Sequence, residues 1–316
     1  MNGLGTIVNV LAIIVAGGIG AMLRGKLKVQ FQEILLQVVG LFVLGMGIFG
    51  VWDSFFVMDG KELETTGTLL VLFALPVGAL FGEAFQIDRA VDKLGHALRR
   101  ISEKESEKGG TQKAGAQKST AKGPVDRKNA IRNAKAAAAG KPITVDGDGG
   151  GAVRRRVTIF KRIAGSPTYE LPNLRTGHLF VDGFSLAAVI CAFSHLAFTG
   201  AIADGLQGDT KTLFTKAAVD AVLIFALAMV YGSGVTYAAV PVLVVEGIMT
   251  IIAMLWDDLL TQTLTSQLAL IASIITLGVG FNLCFGKKWK VINLAPALLI
   301  SPIYGLVMML VEKIEG

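Results

Sequence analysis

Eight apolar stretches, most of them close to twenty residues long, constrain the fold of this chain more than any other feature. A bilayer core about 30 Å thick is crossed by roughly 20 helical residues. Backbone polar groups in that core must be satisfied within the chain, so such stretches cross as helices. The sequence therefore predicts an all-α, polytopic transmembrane helical bundle. Its eight predicted spans are residues 6–23, 34–52, 68–85, 179–201, 213–231, 237–256, 268–285 and 291–310.

The last stretch is interrupted by Pro296 and Pro302. Proline removes a backbone donor and kinks or breaks a helix. This stretch therefore either crosses the membrane or only re-enters it, and the two alternatives place the C-terminus on opposite sides.

The region between the third and fourth stretches has a different composition. Residues 89–175 carry 20 Lys and Arg against 8 Asp and Glu, a net charge of +12, whereas the whole chain carries +6. The region is rich in Lys, Ala, Gly and Ser and has too few aliphatic residues to form a core. We expect three parts. They are a first membrane segment of three spans (1–88), a basic, largely disordered cytoplasmic linker (89–178) with short helices at 88–104 and 124–139, and a second membrane segment of about five spans (179–316).

Charge alternates along the connections between the predicted spans. The first and seventh connections each contain three basic residues, and the third is the basic linker. The second, fourth and sixth are predominantly acidic; the sixth contains Asp257 and Asp258 and no basic residue. By the positive-inside rule, we expect the basic loops to be cytoplasmic and both termini to lie on the opposite side if all eight stretches cross.

Six segments carry a family resemblance. In chain order they are LGTIVNVLAIIVAGGIGAMLRG, PVGALFGEAFQID, FVDGFSLAAVICAF, ADGLQGDTKTLFTKAAVDAV, AAVPVLVVEGIMTIIA and TLGVGFNLCFGKKWKVINLAPALLI. Their order resembles the domain-of-unknown-function 554 family of bacterial multi-pass membrane proteins, over roughly residues 4–88 and 179–302. The resemblance implies a membrane architecture, for which a transport role is supposed. It also implies a shorter linker, Gln at the position of Glu246, and a small or apolar residue at that of His195.

Two pairs of similar segments suggest an internal repeat. GIGAMLRGKLKV (18–29) is echoed by GVGFNLCFGKKWKV (278–291), and both end an odd-numbered predicted span. FQEILLQVVGLFVLGMGIFG (31–50) resembles FTKAAVDAVLIFALAMVYGSG (214–234), although those two spans run in opposite directions. The first pair suits a parallel duplication and the second an inverted repeat of the kind that many carriers use. Both alternatives stay open.

Glu246 is the sharpest candidate site residue. It lies near the middle of the sixth predicted span, five residues after Pro241. An ionisable group in the bilayer core costs at least about 2.5–3.5 kcal/mol on insertion scales, so it is expected to face a partner, a cavity or water. One interpretation is that Glu246 binds a cation or relays a proton. The other is a protonated side chain that hydrogen-bonds to a neighbouring helix.

Asp220 lies eight residues into the fifth predicted span, four residues after Lys216. The spacing places both side chains on one helical face. The first interpretation is an interfacial ion pair in which the lysine extends to the membrane surface. The second is a carboxylate at the mouth of a path for an ion or substrate.

Asn9, Asn282 and Asn293 lie beside clusters of glycine, where helices approach closely. Such side chains either join helices by hydrogen bonds or contact a permeating species. His195, deep in the fourth predicted span, is either a proton carrier or a core histidine.

Other function classes lack a signal. The chain has no P-loop, no GxGxxG followed by a strand, no CxxC and no HExxH, and Cys191 and Cys284 fall in apolar stretches. We therefore expect no enzyme activity, no catalytic residue, no metal site and no cofactor. The linker lacks the aromatic residues that nucleic-acid binding favours, so anionic lipid is the expected partner of its Lys and Arg. Small-residue faces permit a homo-oligomer.

Together these features predict an integral membrane carrier or channel for a small solute or ion. In this hypothesis Glu246 binds the coupling cation or proton, and Asp220 lines the entrance. Asn9, Asn282 and Asn293 contact the permeating species. The alternative is a non-transporting scaffold or regulator that acts through the basic cytoplasmic loop.

Overall fold

The computed structural model describes residues 2–24, 26–59, 62–65, 68–113, 176–256, 260–286 and 289–315. The chain divides into two units, Met1–Ser102 with Glu170–Gly316, and Glu103–Tyr169. The packing described below belongs to the first unit. Of the second unit, only residues 103–113 are described, and they are helical.

The amino-terminal part consists of helices and one hairpin. Its elements are α1 (Leu4–Leu23), α2 (Val29–Phe55), β1 (Phe56–Asp59), β2 (Glu62–Thr65), α3 (Thr68–Ala84) and α4 (Ile87–Lys113). The two strands are antiparallel, with Phe56 opposite Thr65. This short hairpin lies in the acidic second connection and was not part of the predicted all-α architecture. The predicted helix at 88–104 is part of α4, whereas the predicted helix at 124–139 and most of the predicted linker lie outside the described residues.

The carboxyl-terminal part is helical in its described residues. Its elements are α5 (Thr176–Ala192), α6 (His195–Gln207), α7 (Lys211–Tyr231), a 3₁₀ helix (Ser233–Ala238), α8 (Ala239–Leu255), α9 (Gln262–Phe285), a second 3₁₀ helix (Val291–Leu294) and α10 (Ala297–Glu315).

The predicted transmembrane helical bundle is confirmed. In the described part of the chain, five helices are long and apolar enough to cross a membrane: Leu4–Leu23, Gln30–Phe55, Lys211–Tyr231, Ser233–Leu255 and Gln262–Phe285. Two bent helix pairs, Leu69–Ala84 with Ile87–Lys104 and Leu179–Ala192 with His195–Gln207, raise the number to seven if each pair is one span. The last apolar helix, Val291–Val307, is shorter. The count of eight spans stays a prediction.

The fourth predicted span is not one straight helix. Its two halves, α5 and α6, meet at an angle of 51°. Ser194 has an extended backbone at the break (φ −80°, ψ 153°), and the carbonyl of Phe193 accepts a hydrogen bond from the Thr276 hydroxyl at 3.3 Å. A helix break within a membrane needs neighbours that satisfy the freed backbone groups. The α9 side chain provides one such partner here.

Glycines set the closest helix contacts. A Cβ added to Gly47 of α2 would lie 2.6 Å from the Leu277 backbone of α9, and one added to Gly280 would lie 2.6 Å from the Leu44 backbone. The two helices therefore cross antiparallel at near backbone contact. Gly78 and Gly82 form a GxxxG face on α3 that also packs closely. A Cβ at Gly82 would lie 1.9 Å from the Asn293 carbonyl oxygen. This agrees with the general role of small residues at membrane helix interfaces.

Helices α1 and α7 run side by side in the same direction. A Cβ at Gly5 would meet Leu213 near the start of α7, and one at Gly20 would meet Ala228 near its end. The outer faces of both helices are apolar and exposed; for example, Leu11 is 54% exposed and Val222 is 69% exposed. These faces suit lipid, and the opposite faces form the interior in which the candidate site lies.

Candidate functional site

Four polar side chains from three helices meet inside the bundle. Asn9 Nδ2 donates to Glu246 Oε1 at 2.8 Å and to Asp220 Oδ2 at 3.2 Å. The Lys216 ammonium lies 3.0 Å from Glu246 Oε1 and also donates to Asp220 Oδ2. Each of these residues is at most 2% exposed. We call Asn9, Lys216, Asp220 and Glu246 the polar cluster.

The local sequence explains how these residues meet. Lys216 and Asp220 are four residues apart in α7 and therefore project from one face. Asn9 reaches them because α1 packs tightly along α7. Glu246 comes from α8, which runs antiparallel to α1: Asn9 contacts Glu246, while a Cβ at Gly17 would meet Thr236 just before α8.

The orientation of the Asn9 amide follows from chemistry. Ionised carboxylates accept hydrogen bonds and donate none, so the amide nitrogen must face Asp220 and Glu246. The amide oxygen, Oδ1, is left for another partner. Asn9 thus joins two acidic side chains on different helices, and its Oδ1 accepts no hydrogen bond from the described residues.

The charges of the polar cluster do not cancel. With all three groups ionised, the Lys216 ammonium faces two carboxylates, Asp220 and Glu246, so the cluster carries a net charge of −1. A buried charge without compensation costs several kcal/mol in a protein interior. One additional positive charge, either a proton or a bound monovalent cation, would neutralise the cluster. The arrangement therefore has the charge to accommodate one further cation or proton.

A set of buried oxygens beside the polar cluster lacks hydrogen-bond partners among the described residues. It comprises Thr6 Oγ1, Asn9 Oδ1, Glu246 Oε2 and Thr250 Oγ1. The residues that carry them are at most 3% exposed. Buried polar atoms are usually paired, so two unpaired oxygens in the polar cluster and two more about one helical turn away along α1 and α8 call for an explanation.

Asp204 binds the amino-terminal end of α1, which is close in sequence to Thr6. Its Oδ2 accepts hydrogen bonds from the backbone N–H groups of Gly3 and Gly5, at 3.1 and 3.2 Å. The side chain of Asn2 donates to the Gly205 carbonyl at 3.0 Å. A carboxylate at a helix amino terminus offsets the partial positive charge of that end. Asp204 is fully buried, and its Oδ1 is unpartnered in the described part of the chain.

Asn282 and Asn293, also predicted to line a path, bond elsewhere. Asn282 donates to the Trp289 carbonyl at 2.7 Å, and its Oδ1 accepts from the Trp289 N–H at 3.1 Å. Asn293 Nδ2 donates to Glu83 Oε2 at 2.8 Å. Glu83 also binds the exposed ammonium of Lys290, and this hydrogen bond raises the pKa of Lys290 above its usual value. These contacts hold the segment between α9 and α10 against α9 and α3, and they do not involve the polar cluster.

His195 forms a separate polar contact at the α5–α6 break. Its Nε2 lies 3.1 Å from Asp53 Oδ2, and its Nδ1 lies 3.2 Å from the Ser54 hydroxyl. Asp53 is half exposed, whereas Ser54 and His195 are buried. The imidazole therefore links the start of α6 to the end of α2.

Three of the five predicted site residues lie together in the structure, and three other residues accompany them. Glu246, Asp220 and Asn9 come together as the polar cluster. One of the two interpretations paired Lys216 with Asp220 at the membrane surface, but Lys216 is 1% exposed. Thr6 and Thr250 were not considered, although each follows a helical spacing, three residues before Asn9 and four after Glu246.

The described residues contain no group of three or more His, Cys, Asp and Glu side chains that could hold a metal ion. The oxygens of the site are instead two carboxylates, one amide and two hydroxyls. Such oxygen donors suit hard cations rather than transition metals.

Comparisons with known proteins identify one family and two relatives that cover most of the chain. The family model DUF554, described as "Protein of unknown function (DUF554)", matches residues 4–122 and 150–306. The chain is 21% identical over 299 residues to the "Uncharacterized membrane protein YdfK" of Bacillus subtilis, covering 95% of this chain and 94% of that protein. It is 19% identical over 298 residues to the "Uncharacterized protein YqgA" of Escherichia coli, covering 94% of each. No solved structure matches the chain.

Proposed function

This chain belongs to the DUF554 family, whose model matches most of its length, and on that premise we propose that it is a carrier or channel for a small solute or ion. It is an integral, multi-pass membrane protein. The observation that carries the proposal is the polar cluster, in which the Lys216 ammonium faces the carboxylates of Asp220 and Glu246 inside the bundle.

The energetics of the polar cluster support transport over a purely structural role. Replacing a buried ion pair by apolar residues is often neutral or stabilising, so stability alone is a weak reason to retain one. Ionisable groups inside membrane proteins commonly mark ion pathways or proton relays. In this proposal Glu246 takes up the coupling cation or proton, and Lys216 and Asp220 adjust the charge around it. Asn9 contacts the bound species.

The test is a flux measurement with the purified protein in lipid vesicles. Wild type and Glu246→Gln are compared for ion-dependent uptake across a panel of small solutes and ions. We expect Glu246→Gln to lose the ion dependence, because the amide cannot ionise. Equal, ion-dependent fluxes in the two proteins would remove Glu246 from the mechanism.

A matched control is Glu83→Gln, which makes the same chemical change outside the polar cluster. The Glu83 side chain is 59% exposed and pairs with Lys290. We expect this variant to retain wild-type flux. If wild type moves none of the species in a broad panel, the carrier proposal fails.

One observation favours a second role, at the membrane surface. Helix α4 packs Gly95 against α5, and on another face it exposes Leu94 (43%) and Ile101 (52%) next to Arg100 and Lys104. A basic helix with an exposed apolar stripe suits an anionic lipid surface. This supports the scaffold or regulator alternative, in which the basic loop acts at the membrane.

Deletion of residues 105–150 separates the two roles. A carrier keeps its flux without this segment, whereas a scaffold that acts through the basic loop loses its cellular phenotype. Retention of both the flux and the phenotype would exclude the scaffold role for that segment.

A further inference from the structure

We propose that Thr6, Asn9, Glu246 and Thr250 form a binding site for one monovalent alkali cation of the Na⁺ class. This inference rests on the proposed carrier function for its biological meaning, but the binding itself can be measured without transport. Its basis is the group of unpartnered buried oxygens on α1 and α8.

The helix register brings these four residues to two adjacent levels. Asn9 and Glu246 are in contact, at 2.8 Å between Nδ2 and Oε1. Because α1 and α8 are antiparallel and a helix rises about 1.5 Å per residue, Thr250 lies about 6 Å beyond Glu246 and Thr6 about 4.5 Å beyond Asn9, in the same direction. The two hydroxyls therefore lie at a similar height, one turn from the amide and the carboxylate.

The hydrogen bonds of the polar cluster leave the right atoms free. Glu246 Oε1 already accepts from Asn9 and Lys216, whereas Oε2 has no partner in the described part of the chain. The Asn9 amide turns its nitrogen toward the carboxylates, which leaves Oδ1 unpaired. The Thr6 and Thr250 hydroxyls make no hydrogen bond to the carbonyls of their own helices. Thr276, in contrast, does bond a carbonyl of its own helix. Four oxygens with lone pairs available thus lie within about one helical turn of one another.

Charge selects a monovalent ion. Lys216, Asp220 and Glu246 sum to −1 when ionised, so one alkali cation gives a neutral cluster, whereas a divalent cation would leave an excess of +1. One carboxylate, one amide and two hydroxyls are hard ligands of low total charge, which suits an alkali ion.

The site lies toward the amino-terminal end of α1. Thr6 is the third residue of α1, and Thr250 lies five residues before the end of α8. The carboxyl end of a helix favours cations.

The experiment measures thermal unfolding of the purified full-length protein in one detergent. NaCl, LiCl and KCl are titrated against choline chloride at constant ionic strength. For wild type we expect Tm to rise with Na⁺, by about 5 °C once Na⁺ exceeds its dissociation constant a hundredfold. A Tm that is the same in NaCl and in choline chloride would overturn the proposal, and a proton would then be the neutralising charge.

Thr250→Val tests the location, because it keeps the shape of the side chain and removes only the hydroxyl. In choline chloride its Tm should equal or exceed that of wild type, since no hydrogen bond of Thr250 is lost among the described residues. Its Na⁺-dependent rise should be lost. A rise as large as that of wild type would place the cation elsewhere. Should Thr250→Val not fold, Thr6→Val makes the same test on α1.

Thr276→Val is the matched control. The Thr276 hydroxyl donates to Ala272 and Phe193 carbonyls, so this variant should be less stable than wild type but keep the full Na⁺-dependent rise. The outcomes also separate this inference from the carrier proposal. Na⁺-dependent stabilisation without flux would support the cation site and exclude the carrier proposal. Flux without Na⁺-dependent stabilisation would support the carrier proposal and exclude the cation site.

Discussion

Lys216 Nζ lies 3.0 Å from Glu246 Oε1, although the two residues belong to different helices and their side chains are 1% and 0% exposed. A lysine stem is long enough to carry its ammonium to a membrane surface. Here the ammonium stays inside because Asp220 and Glu246 both bind it. The bundle thereby holds three ionisable groups in contact with one another.

Removal of the ammonium should be costly. Lys216→Met leaves Asp220 and Glu246 buried together without a cation, and breaking a buried ion pair in this way costs about 3–5 kcal/mol. We expect a clearly lower Tm in detergent. Lys290→Met is the control: it makes the same change in the exposed pair with Glu83, where solvent screens the interaction and the expected loss of stability is small. Equal losses in the two variants would contradict the buried ion pair.

Neutralising Asp220 as well should recover part of that stability. In Lys216→Met/Asp220→Asn, only Glu246 remains ionisable in the polar cluster, and it can be protonated. A double-mutant cycle should give a coupling of roughly 0.5–3 kcal/mol between Lys216 and Asp220. Purely additive losses would indicate that the two side chains act independently, against the contact between them.

The contact of α3 with the chain before α10 gives a steric prediction. A Cβ at Gly82 would lie 1.9 Å from the Asn293 carbonyl oxygen, so Gly82→Ala should force the two segments apart and cost about 1–3 kcal/mol. Gly45 has no neighbour within 4 Å of such a Cβ, and Gly45→Ala should leave stability unchanged or raise it by about 0.5–1 kcal/mol. Thermal unfolding of both variants checks this. An unaffected Gly82→Ala would be inconsistent with the close contact.

Sequence reasoning predicted the membrane helices because hydrophobicity is a local property. Each of the eight apolar stretches is helical over most of its described residues. It also identified Glu246, since a carboxyl group in an apolar stretch is conspicuous whatever its neighbours are. The polar cluster itself depends on contacts between Asn9 and Glu246, 237 residues apart. Spacing along the chain carries no information about such a pair.

The break between α5 and α6 was missed for the same reason. Phe193 and Ser194 include no proline or glycine that would mark a break. The neighbours at the break are Thr276 of α9, which binds the Phe193 carbonyl, and Asp53 and Ser54 of α2, which bind His195. The linker was predicted from composition alone, and most of it lies outside the described residues.

The His195 contact should hold the start of α6 against α2. We expect His195→Ala to speed amide hydrogen exchange in residues 195–207 about tenfold, because a hydrogen bond to a charged group contributes about 1.5–3 kcal/mol. Exchange in α9 should not change. Thr199→Val is the control in the same helix, since the hydrogen bond of the Thr199 hydroxyl to the His195 carbonyl lies within α6 and does not reach α2. Unchanged exchange in His195→Ala would show that the contact does not hold the helix.

The distribution of charge gives a prediction for the orientation of the bundle. By the positive-inside rule, we expect the basic first connection in the cytoplasm and the acidic fourth connection on the opposite side. Lys26 lies in the first connection, and Gln207 lies at the edge of the fourth. Both are exposed and give matched labelling positions. In a Cys191→Ala/Cys284→Ala background, Gln207→Cys should react with a membrane-impermeant thiol reagent added to intact cells. Lys26→Cys should react only after the membrane is opened. The reverse pattern would invert the bundle, and the amino-terminal end of α1, with the polar cluster nearest to it, would then open to the cytoplasm.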